Sequence, residues 1–529
     1  MIFRALEKSR ERRFPNALAL LAALKNLKQD LQSSRQDTVR GVGTPVTYSP
    51  GFTDSIAVLP FENVAGEANT EYLSEGIAES IIKSLSRVTT LRVVPRTTAF
   101  RYRRPGLDPV EAGRRLGVRA VLTGRLMERA GRLIIGAELI DCTEGLQLWG
   151  EKYDRNFGDV FAIEADMAHE IAGKLRLRLS PDEQNRLTRR LTESVEAYKL
   201  YLKAMYHASK WTPEGLQKGI ELSRQAIEAD PVYPVPYVGL GYIYLLLGYF
   251  GWAPPREALP RAKSAALKAL EIEADYANAH VLLGVVALFF DWDWRQSENY
   301  LRTALRLAPN HAPCHWALGH WLLAMERYED AIAAMKQAAQ LDPLSAPMSL
   351  GLGYACYFAR QYDKSLEAYQ ATIELEPSFV PAYIALPVLY AQKGRYQEAF
   401  ATIDRFLGQD QFNDYNQIAR ARILAMAGRV DEARGLISQL GVRKEYPYIR
   451  TFSCAAVYSL LGEHEQALDL LEERYQERLS ALTFIAGQPE FDSLHGHPRF
   501  TDLLGRIGLA KAAGLSGSAL SPTSVITTQ

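Results

Sequence analysis

Three histidines and a cysteine lie close together near the middle of the chain, and both residue types bind zinc. His311, Cys314 and His315 fall within five residues, and His320 follows. A zinc module normally has a second ligand cluster at a fixed spacing, and the sequence contains none. Cys314 and His315 also fall on a predicted helix at positions where packing residues belong. The pattern therefore favours packing over metal binding, and we predict no metal site.

The sequence also lacks the motifs that begin most enzymatic mechanisms. It contains no G-x-S-x-G nucleophile turn, no H-E-x-x-H zinc motif and no glycine-rich phosphate loop. Nucleophilic, metallo-hydrolytic and NTPase chemistry each depend on one of these patterns. We therefore predict no catalytic residue and no cofactor, and interpret the chain as non-enzymatic.

A cluster of arginines is a candidate binding site for anions. Residues 85–132 hold twelve arginines against three acidic residues, and two aromatic residues alternate with Arg101, Arg103 and Arg104. Arginine and aromatic side chains together hold phosphates and stack on bases. The alternative, which we favour, is a solvated loop and sheet edge with the aromatics packed beneath, because nothing else in the segment resembles a nucleotide site.

The composition limits the class of protein further. The chain has 529 residues, which predicts about three domains, and its 61 basic residues balance 61 acidic ones. Zero net charge does not favour a general nucleic-acid binder. The four cysteines lie far apart, as expected in a reducing compartment. No run of about 18 apolar residues and no signal peptide is present, so we predict a cytoplasmic protein without a membrane span.

The strongest signal is a repeat of 34 residues. Gly319, Gly353 and Pro387 are 34 apart, and tyrosine, alanine and proline positions follow the same period. Such a period is typical of stacked pairs of antiparallel helices, since one pair cannot bury its apolar face alone. LGHWLLAMERYEDAIAAMKQAAQLDP and LGYACYFARQYDKSLEAYQATIELEP resemble the tetratricopeptide repeat. We place repeats and a C-terminal capping helix at 195–510, and a disordered tail at 511–529.

The resemblance implies that the first helix of each repeat faces a concave groove. Nine residues would line this groove and contact a protein or peptide partner: Trp316, His320, Leu323, Leu350, Tyr354, Tyr357, Phe358, Ile384 and Val388. An exposed row of apolar and aromatic side chains would form a binding surface. The alternative, left open here, is that these side chains only pack one repeat against the next.

The sequence pattern before the repeats predicts a small α/β domain at residues 54–178. Its apolar pattern predicts the order β-α-β-α-β-β-β-α, with hairpins at Ala130-Gly131 and Glu144-Gly145, and hence a mixed sheet covered by helices. SIAVLPFENV, LRVVPRTTAF and LWGEKYDRNFGDVF resemble the TolB amino-terminal-like domain, which implies a module but no catalytic site. Because residues 180–194 offer few apolar side chains, we expect this domain and the repeats to fold independently.

The N-terminal residues resemble the end of another family. ALEKSRERRFPNALALLAAL, within residues 1–34, resembles the last helix of bacterial serine/threonine protein kinase domains, and residues 35–53 read as a linker. The glycine-rich loop, H-R-D and D-F-G motifs that a kinase requires are absent from this chain.

The predicted fold class is therefore α/β plus all-α, a small mixed domain followed by a tetratricopeptide superhelix. The function that this favours is a non-catalytic scaffold in bacterial signalling that binds a protein or peptide partner. One alternative is the truncated regulatory half of a serine/threonine kinase. A weaker alternative is polyanion or nucleic-acid binding by the basic middle domain. No feature of the sequence indicates the oligomeric state.

Overall fold

A computed structural model describes nine stretches of the chain: residues 55–64, 71–88, 90–103, 107–177, 179–188, 190–210, 212–406, 413–439 and 447–509. The kinase-like helix expected at 1–34, the linker expected at 35–53, Arg104 and the tail expected at 511–529 lie outside the described residues. These expectations stay predictions.

The N-terminal part is a mixed sheet with the strand order β3-β1-β4-β5-β6, and β2 pairs with β4. Its strands are β1 (Ser55–Val58), β2 (Glu62–Asn63), β3 (Arg92–Val93), β4 (Ala120–Arg129), β5 (Arg132–Asp141) and β6 (Leu146–Asn156). Strand β1 runs parallel to β3 and β4, whereas β4, β5 and β6 form two antiparallel hairpins. Ala130 and Gly131 both have positive φ, 51° and 75°, as a two-residue hairpin turn requires.

Helices cover both faces of this sheet. They are α1 (Glu71–Leu85), α2 (Arg96–Ala99), α3 (Pro109–Leu116) and α4 (Val160–Lys174). The apolar sides of α1 and α4 pack on one face, and α2 and α3 cover the other. The side chain of Asp108 accepts a hydrogen bond from the Val110 amide and begins α3, and Gly117 ends it in the left-handed conformation, which favours glycine. The predicted mixed α/β domain is confirmed, with β2 and α2 as additional short elements.

A linking helix, α5 (Pro181–Thr188), leads into eight helix pairs within the described residues. The pairs are α6–α7 (Val195–Ala208, Pro213–Ala229), α8–α9 (Pro234–Tyr249, Pro255–Ile272), α10–α11 (Ala277–Val286, Trp294–Leu307), α12–α13 (Ala312–Ala324, Tyr328–Leu341), α14–α15 (Ala346–Phe358, Tyr362–Leu375), α16–α17 (Val380–Gln392, Tyr396–Phe406), α18–α19 (Asn413–Met426, Val430–Gln439) and α20–α21 (Pro447–Leu460, His464–Gln476). Two 3₁₀ segments, Ser480–Phe484 and Pro489–Leu494, and the helix α22 (Pro498–Ile507) follow. The predicted helical repeat array is confirmed.

The 34-residue period is also present in the turns between helices. Seven residues with positive φ occur at intervals of 34: Trp292, Glu326, Arg360, Gly394, Gly428, Gly462 and Gly496. Six of them lie between the two helices of a pair, and Gly496 lies just before α22. A left-handed residue commonly ends a helix and turns the chain back. Each turn therefore repeats the same backbone geometry, whether or not the residue is a glycine.

The glycines that the sequence placed in the first helices allow close helix approach. A Cβ added to Gly319 would lie 2.8 Å from the Met335 side chain, and one added to Gly353 would overlap the ring of Tyr369. Met335 and Tyr369 lie on the second helix of the same pair. Only a residue without a Cβ leaves room for these side chains.

The α/β domain and the first repeat share one hydrophobic core. Tyr198, Tyr201 and Leu202 of α6 are buried in the same cluster as the apolar sides of α1 and α4. A Cβ added to Gly76 of α1 would lie 2.6 Å from Leu202. The sequence predicts a separate core for each domain, whereas in the structure their apolar side chains meet through α6. The predicted domain boundaries and independent folding are not tested by this packing and stay predictions.

Candidate functional site

The candidate site is the inner face of the repeats, formed by the first helices of successive pairs, α8, α10, α12, α14 and α16. The nine residues predicted to line a groove lie on α12, α14 and α16. Six of them are buried: His320, Leu323, Leu350, Tyr357, Phe358 and Val388. Trp316 and Tyr354 are half-buried, and Ile384 is 36% exposed. The inner face is thus mostly covered, and whether these residues contact a partner stays a prediction.

Residues 480–494, which we call the inner segment, cover one part of the inner face. Phe484 lies with its ring centroid 5.7 Å from that of Phe358, 5.8 Å from that of His320 and 5.9 Å from that of Phe289. The fully buried carboxylate of Glu490 accepts a hydrogen bond of 3.2 Å from the hydroxyl of Tyr357. The inner segment therefore occupies the part of the groove formed by the C-terminal ends of α12 and α14.

The other cover is the α/β domain, which contacts the repeats again far from α6. The hydroxyl of Thr98 donates a 2.6 Å hydrogen bond to Asp342, and Thr97 donates to the same carboxylate. Arg101 donates to the carbonyl of Leu375 and lies 3.5 Å from the carboxylate of Glu376. We call these bonds the distal contact. Burial raises the pKa of Asp342 above its usual range despite both hydroxyl donors.

Between the α/β domain and the inner face lies a cavity of about 680 Å³, which we call the chamber. Its walls include α1 and α2 on one side and the five inner helices on the other. Aromatic side chains make up much of its lining: Tyr201, Tyr233, Tyr242, Tyr249, Tyr276, Phe289, Trp316, Tyr354 and Phe379. Of the nine predicted residues, Trp316, His320, Leu350 and Tyr354 line the chamber, and the other five do not.

Two cationic side chains on the α/β side of the chamber wall, Lys83 and Arg96, are paired within the protein. Lys83 lies 2.7 Å from Glu79 and donates a 2.8 Å hydrogen bond to the hydroxyl of Tyr201. Arg96 lies 2.8 Å from Glu75 and 3.0 Å from Glu79. Burial would raise the pKa of Glu79, but Lys83 and Arg96 outweigh it and lower the pKa. The paired charges leave little unbalanced charge on this side of the chamber.

Other titratable groups on the wall are held towards their neutral forms. Burial raises the pKa of Glu164 to about 7, although Tyr198 and Ser80 donate hydrogen bonds to its carboxylate. Burial also lowers the pKa of His311 and of His320 to about 4. Both histidines are therefore uncharged at pH 7. The chamber surface is mainly apolar, although Arg87, Arg190, Glu273 and Asp275 also line it.

Of the four His and Cys residues considered for zinc binding, His311 and Cys314 contact each other, whereas His315 and His320 bond to backbone carbonyls. His311 Nδ1 lies 3.3 Å from Cys314 Sγ, whereas His315 Nε2 contacts the carbonyl of Pro309 at 2.7 Å. His320 Nδ1 lies 3.0 Å from the carbonyl of Trp316. In the part of the chain that the structure describes, no three His, Cys, Asp or Glu residues form a group that could hold a metal ion.

Two of the three residues of the candidate anion patch face acceptors of this chain. Arg101 belongs to the distal contact, and Arg103 lies 3.1 Å from Glu71 and 2.5 Å from Glu75. Arg104 lies outside the described residues. The carboxylates of Glu71, Glu75 and Glu376 already pair with the guanidinium groups that would have to bind a phosphate. Anion binding by this patch stays a prediction, and these contacts do not support it.

Sequence reasoning did not identify the chamber residues of α1 and α8. Tyr242 and Tyr249 lie on α8, before an insertion that breaks the 34-residue period, so alignment of the repeats did not place them on the inner face. Lys83 lies on α1 and reaches the chamber only because the α/β domain folds back over the repeats. The apolar character of YVGLGYIYLLLG was the one available signal.

Sequence comparisons agree with the two parts of the fold. A profile of the HilA/YgeH-like transcriptional regulator second domain matches residues 52–158. Profiles of the tetratricopeptide repeat match residues 293–346 and 322–392. The protein therefore carries tetratricopeptide repeats behind its α/β domain. The resemblance to the TolB-like domain is not shown by these matches.

Two curated relatives have different names. The chain is 32% identical over 246 residues to "Putative adenylate cyclase 3" of Rhizobium meliloti, a match that covers 46% of this chain and 41% of that protein. It is 24% identical over 292 residues to "Transcriptional regulator HilA" of Salmonella typhimurium, covering 54% of this chain and 50% of that protein. The chain thus spans half or less of the length of these relatives.

Solved structures resemble the repeats at low sequence identity. The Pseudomonas aeruginosa pilF protein has 23% identity and a TM-score of 0.32, with 40% of this chain and 91% of that chain covered. A human IFIT1 dimer with PPP-AAAA has 14% identity and a TM-score of 0.39, with 60% and 78% covered. Such similarity concerns the fold alone. Among the described helices, none has the length and apolarity needed to cross a membrane.

Proposed function

We propose that this chain is a non-catalytic interaction module of a bacterial signalling protein, which binds a segment of a protein partner on the inner face of its repeats. Tetratricopeptide repeats support a role as a protein-interaction scaffold. Trp316, Tyr354 and Ile384 are the anchors, because they retain accessible surface on three successive inner helices. Large aromatic side chains dominate the binding energy of many interfaces.

The observation that carries this proposal is that a polar contact fastens the α/β domain over an aromatic surface. At the α6 end the two parts share a hydrophobic core, whereas at the distal contact Asp342 and Glu376 accept a few hydrogen bonds. A few polar bonds cost far less to break than a hydrophobic core. Opening at the distal contact would give a partner access to Trp316 and Tyr354.

The relatives support a regulatory role. One is named for an adenylate cyclase and the other for a transcriptional regulator, and the chain matches about half of each. The matching segment occurs in proteins that are named for two different activities. Regulation of those activities therefore explains its presence better than catalysis does. We place this module in the cytoplasm, in keeping with the free cysteines Cys142, Cys314, Cys356 and Cys454.

The two alternatives from the sequence have less support. The matched families and relatives do not name a kinase, and the residues that resemble a kinase helix lie outside the described part. For polyanion binding, Arg101 and Arg103 are already paired with acceptors of this chain. Both alternatives stay predictions that no specific observation favours.

Capture of partners from a bacterial lysate on the immobilised chain tests the proposal. Asp342→Ala removes the acceptor of the distal contact and should increase retention of a partner. Adding Trp316→Ala or Tyr354→Ala should then weaken binding about thirtyfold, as expected for loss of an anchor worth about 2 kcal/mol. Tyr237→Ala is the control, because this half-buried tyrosine of α8 does not line the chamber. Equal retention by all variants would contradict the proposal.

A further inference from the structure

The α/β domain and the inner face leave between them a space whose size suits a small molecule. The chamber measures about 680 Å³, within the range of about 300–1,000 Å³ that is typical of ligand cavities. A cavity of this size accommodates a small molecule without any movement of the α/β domain.

The tyrosines of the chamber provide the second observation. Tyr242 is 40% exposed, yet burial raises its pKa. Tyr242 lines the chamber, so its exposed surface faces that space. Burial likewise raises the pKa of Tyr249 and of the half-buried Tyr354. All three side chains line the same chamber.

The hydroxyl groups of these tyrosines have no hydrogen-bond partner among the residues that the structure describes. Within the described residues, none of the hydrogen bonds involves the hydroxyl of Tyr242, Tyr249 or Tyr354, whereas that of Tyr201 accepts from Lys83 and that of Tyr198 donates to Glu164. None of the three hydroxyls is among the fully buried polar atoms without a partner, so water reaches them, and a ligand with hydrogen-bond acceptors would replace that water. Three unpaired hydroxyls beside aromatic rings fit a ligand that brings both ring surface and hydrogen-bond acceptors.

The electrostatics determine the charge of that ligand. Lys83 and Arg96 are already neutralised by Glu75 and Glu79, and the nearby histidines are uncharged at pH 7. An anion would gain little from Lys83 and Arg96, because both are already paired, and it would lose hydration on entering a largely apolar space, which is unfavourable. From volume, lining and charge together, we infer that the chamber binds an uncharged aromatic small molecule carrying hydrogen-bond acceptors.

This inference goes beyond the proposed function, because it assigns a ligand to the closed arrangement rather than a partner to the open one. A ligand that binds only the closed form stabilises that form by mass action. The ligand would therefore oppose opening at the distal contact. Partner recruitment and ligand binding use the same inner face in two different arrangements.

The test uses Nile Red, an uncharged aromatic dye with a carbonyl acceptor, added to the full chain without any partner. We expect saturable binding of one dye per chain, with increased fluorescence and a higher melting temperature. Tyr242→Ala and Tyr354→Ala should each weaken binding about tenfold, through loss of ring contact. Tyr237→Ala, on the same helix as Tyr242 but outside the chamber, should leave binding unchanged.

Two further measurements make the test specific. Ala277→Trp, at a half-buried position of the chamber wall, should abolish dye binding by filling the space, and circular dichroism checks that each variant is folded. The anionic dye anilinonaphthalene sulfonate should bind at least about tenfold more weakly than Nile Red.

Non-saturable dye binding, equal binding by the two chamber tyrosine variants and wild type, or tighter binding of the anionic dye would overturn the inference. Binding of a short apolar peptide in place of Nile Red would assign the chamber to a protein segment instead. Because no partner is present, failure of this test is distinct from failure of partner capture.

Discussion

Arg422 of α18 forms a buried ion pair with Glu490 of the inner segment. The carboxylate side chain is fully buried and the guanidinium side chain is 15% exposed. Glu490 also accepts from Tyr357, but its second oxygen and the Nε of Arg422 have no hydrogen-bond partner in the described residues. This pair links the inner segment to the repeats. Because two of its polar atoms lack a hydrogen-bond partner, we expect stability to depend strongly on both residues.

We expect Glu490→Gln to destabilise the protein by about 3–5 kcal/mol, because it leaves the charge of Arg422 buried without a counterion. Urea unfolding measures the loss. Asp492→Ala is the control, since Asp492 is 59% exposed in its pair with Arg360 and exposed pairs contribute about 1 kcal/mol or less. Replacing both partners by Leu and Met should recover most of the stability, and a double variant as unstable as Glu490→Gln would show that the charge is not the cause.

Gly353→Ala should destabilise the array by about 1–3 kcal/mol, because the new methyl group overlaps the ring of Tyr369 and forces the helices of the pair apart. Gly435→Ala in α19 is the matched control. No atom lies within 4 Å of a Cβ at that position, so alanine should stabilise the helix by about 0.5–1 kcal/mol. Thermal melts of both variants compare the effects, and equal shifts would exclude close helix approach as the reason for Gly353.

Glu326→Gly should stabilise the protein by up to about 1 kcal/mol, because Glu326 has a φ of 56° that costs an ordinary residue free energy. Part of the gain is lost to the greater freedom of glycine in the unfolded chain. Gly428→Ala changes the equivalent turn in the opposite sense and should cost about 1 kcal/mol, since its φ is 73° and nothing lies within 4 Å. Thermal midpoints that move in the same direction for both variants would contradict backbone strain as the cause.

Glu164 should make stability depend on pH. Burial raises its pKa from 4.5 to about 7, so between these values the folded protein binds more protons than the unfolded chain. Its contribution to the free energy of unfolding therefore falls as pH rises from about 4.5 to 7. His311 and His320, with pKa values lowered to about 4, act in the opposite sense between pH 4 and 6.5.

The difference between wild type and Glu164→Gln isolates the carboxylate. Ser80 and Tyr198 donate to different oxygens of the carboxylate, so the single amide oxygen of Gln keeps only one of these two bonds, and the amide carries no charge. The variant should gain roughly 1–3 kcal/mol relative to wild type between pH 4.5 and 8. Urea unfolding at several pH values measures this gain, and a difference that does not change with pH would exclude titration of Glu164.

The period and apolar pattern of the sequence were sufficient to predict the elements of the fold. The helices recur because every unit repeats the same packing, as Gly319 and Gly353 show, and the hairpin at Ala130-Gly131 follows from local turn chemistry. The inner segment could not be predicted in the same way. It continues the period up to Gly496, but short 3₁₀ turns replace the helices, and its position depends on distant contacts such as Glu490 with Arg422.

The candidate site was predicted only in part, for a similar reason. Repeat alignment placed Trp316 and Tyr354 on the inner face, because that depends on position within a helix. It could not show that the α/β domain covers them, since Thr98 and Asp342 lie 244 residues apart. Contacts over such separations leave no periodic signal in one sequence. Lys83 entered the site only through this long-range packing, whereas Tyr242 was missed because an insertion breaks the period near α8.

The ion pairs near the C-terminal end of the array join residues at fixed separations in the sequence. These separations fix the number of repeats between the paired residues. Arg422 and Glu490 lie 68 residues apart, which is two periods of 34, and Arg499 with Glu465 and Arg506 with Glu472 lie one period apart. Duplicating or deleting one whole unit between Arg422 and Glu490 would keep every turn intact, yet it would move Glu490 away from Arg422. The Arg422–Glu490 pair therefore fixes the number of repeats between its two residues. Natural variation in repeat number is expected only outside this stretch.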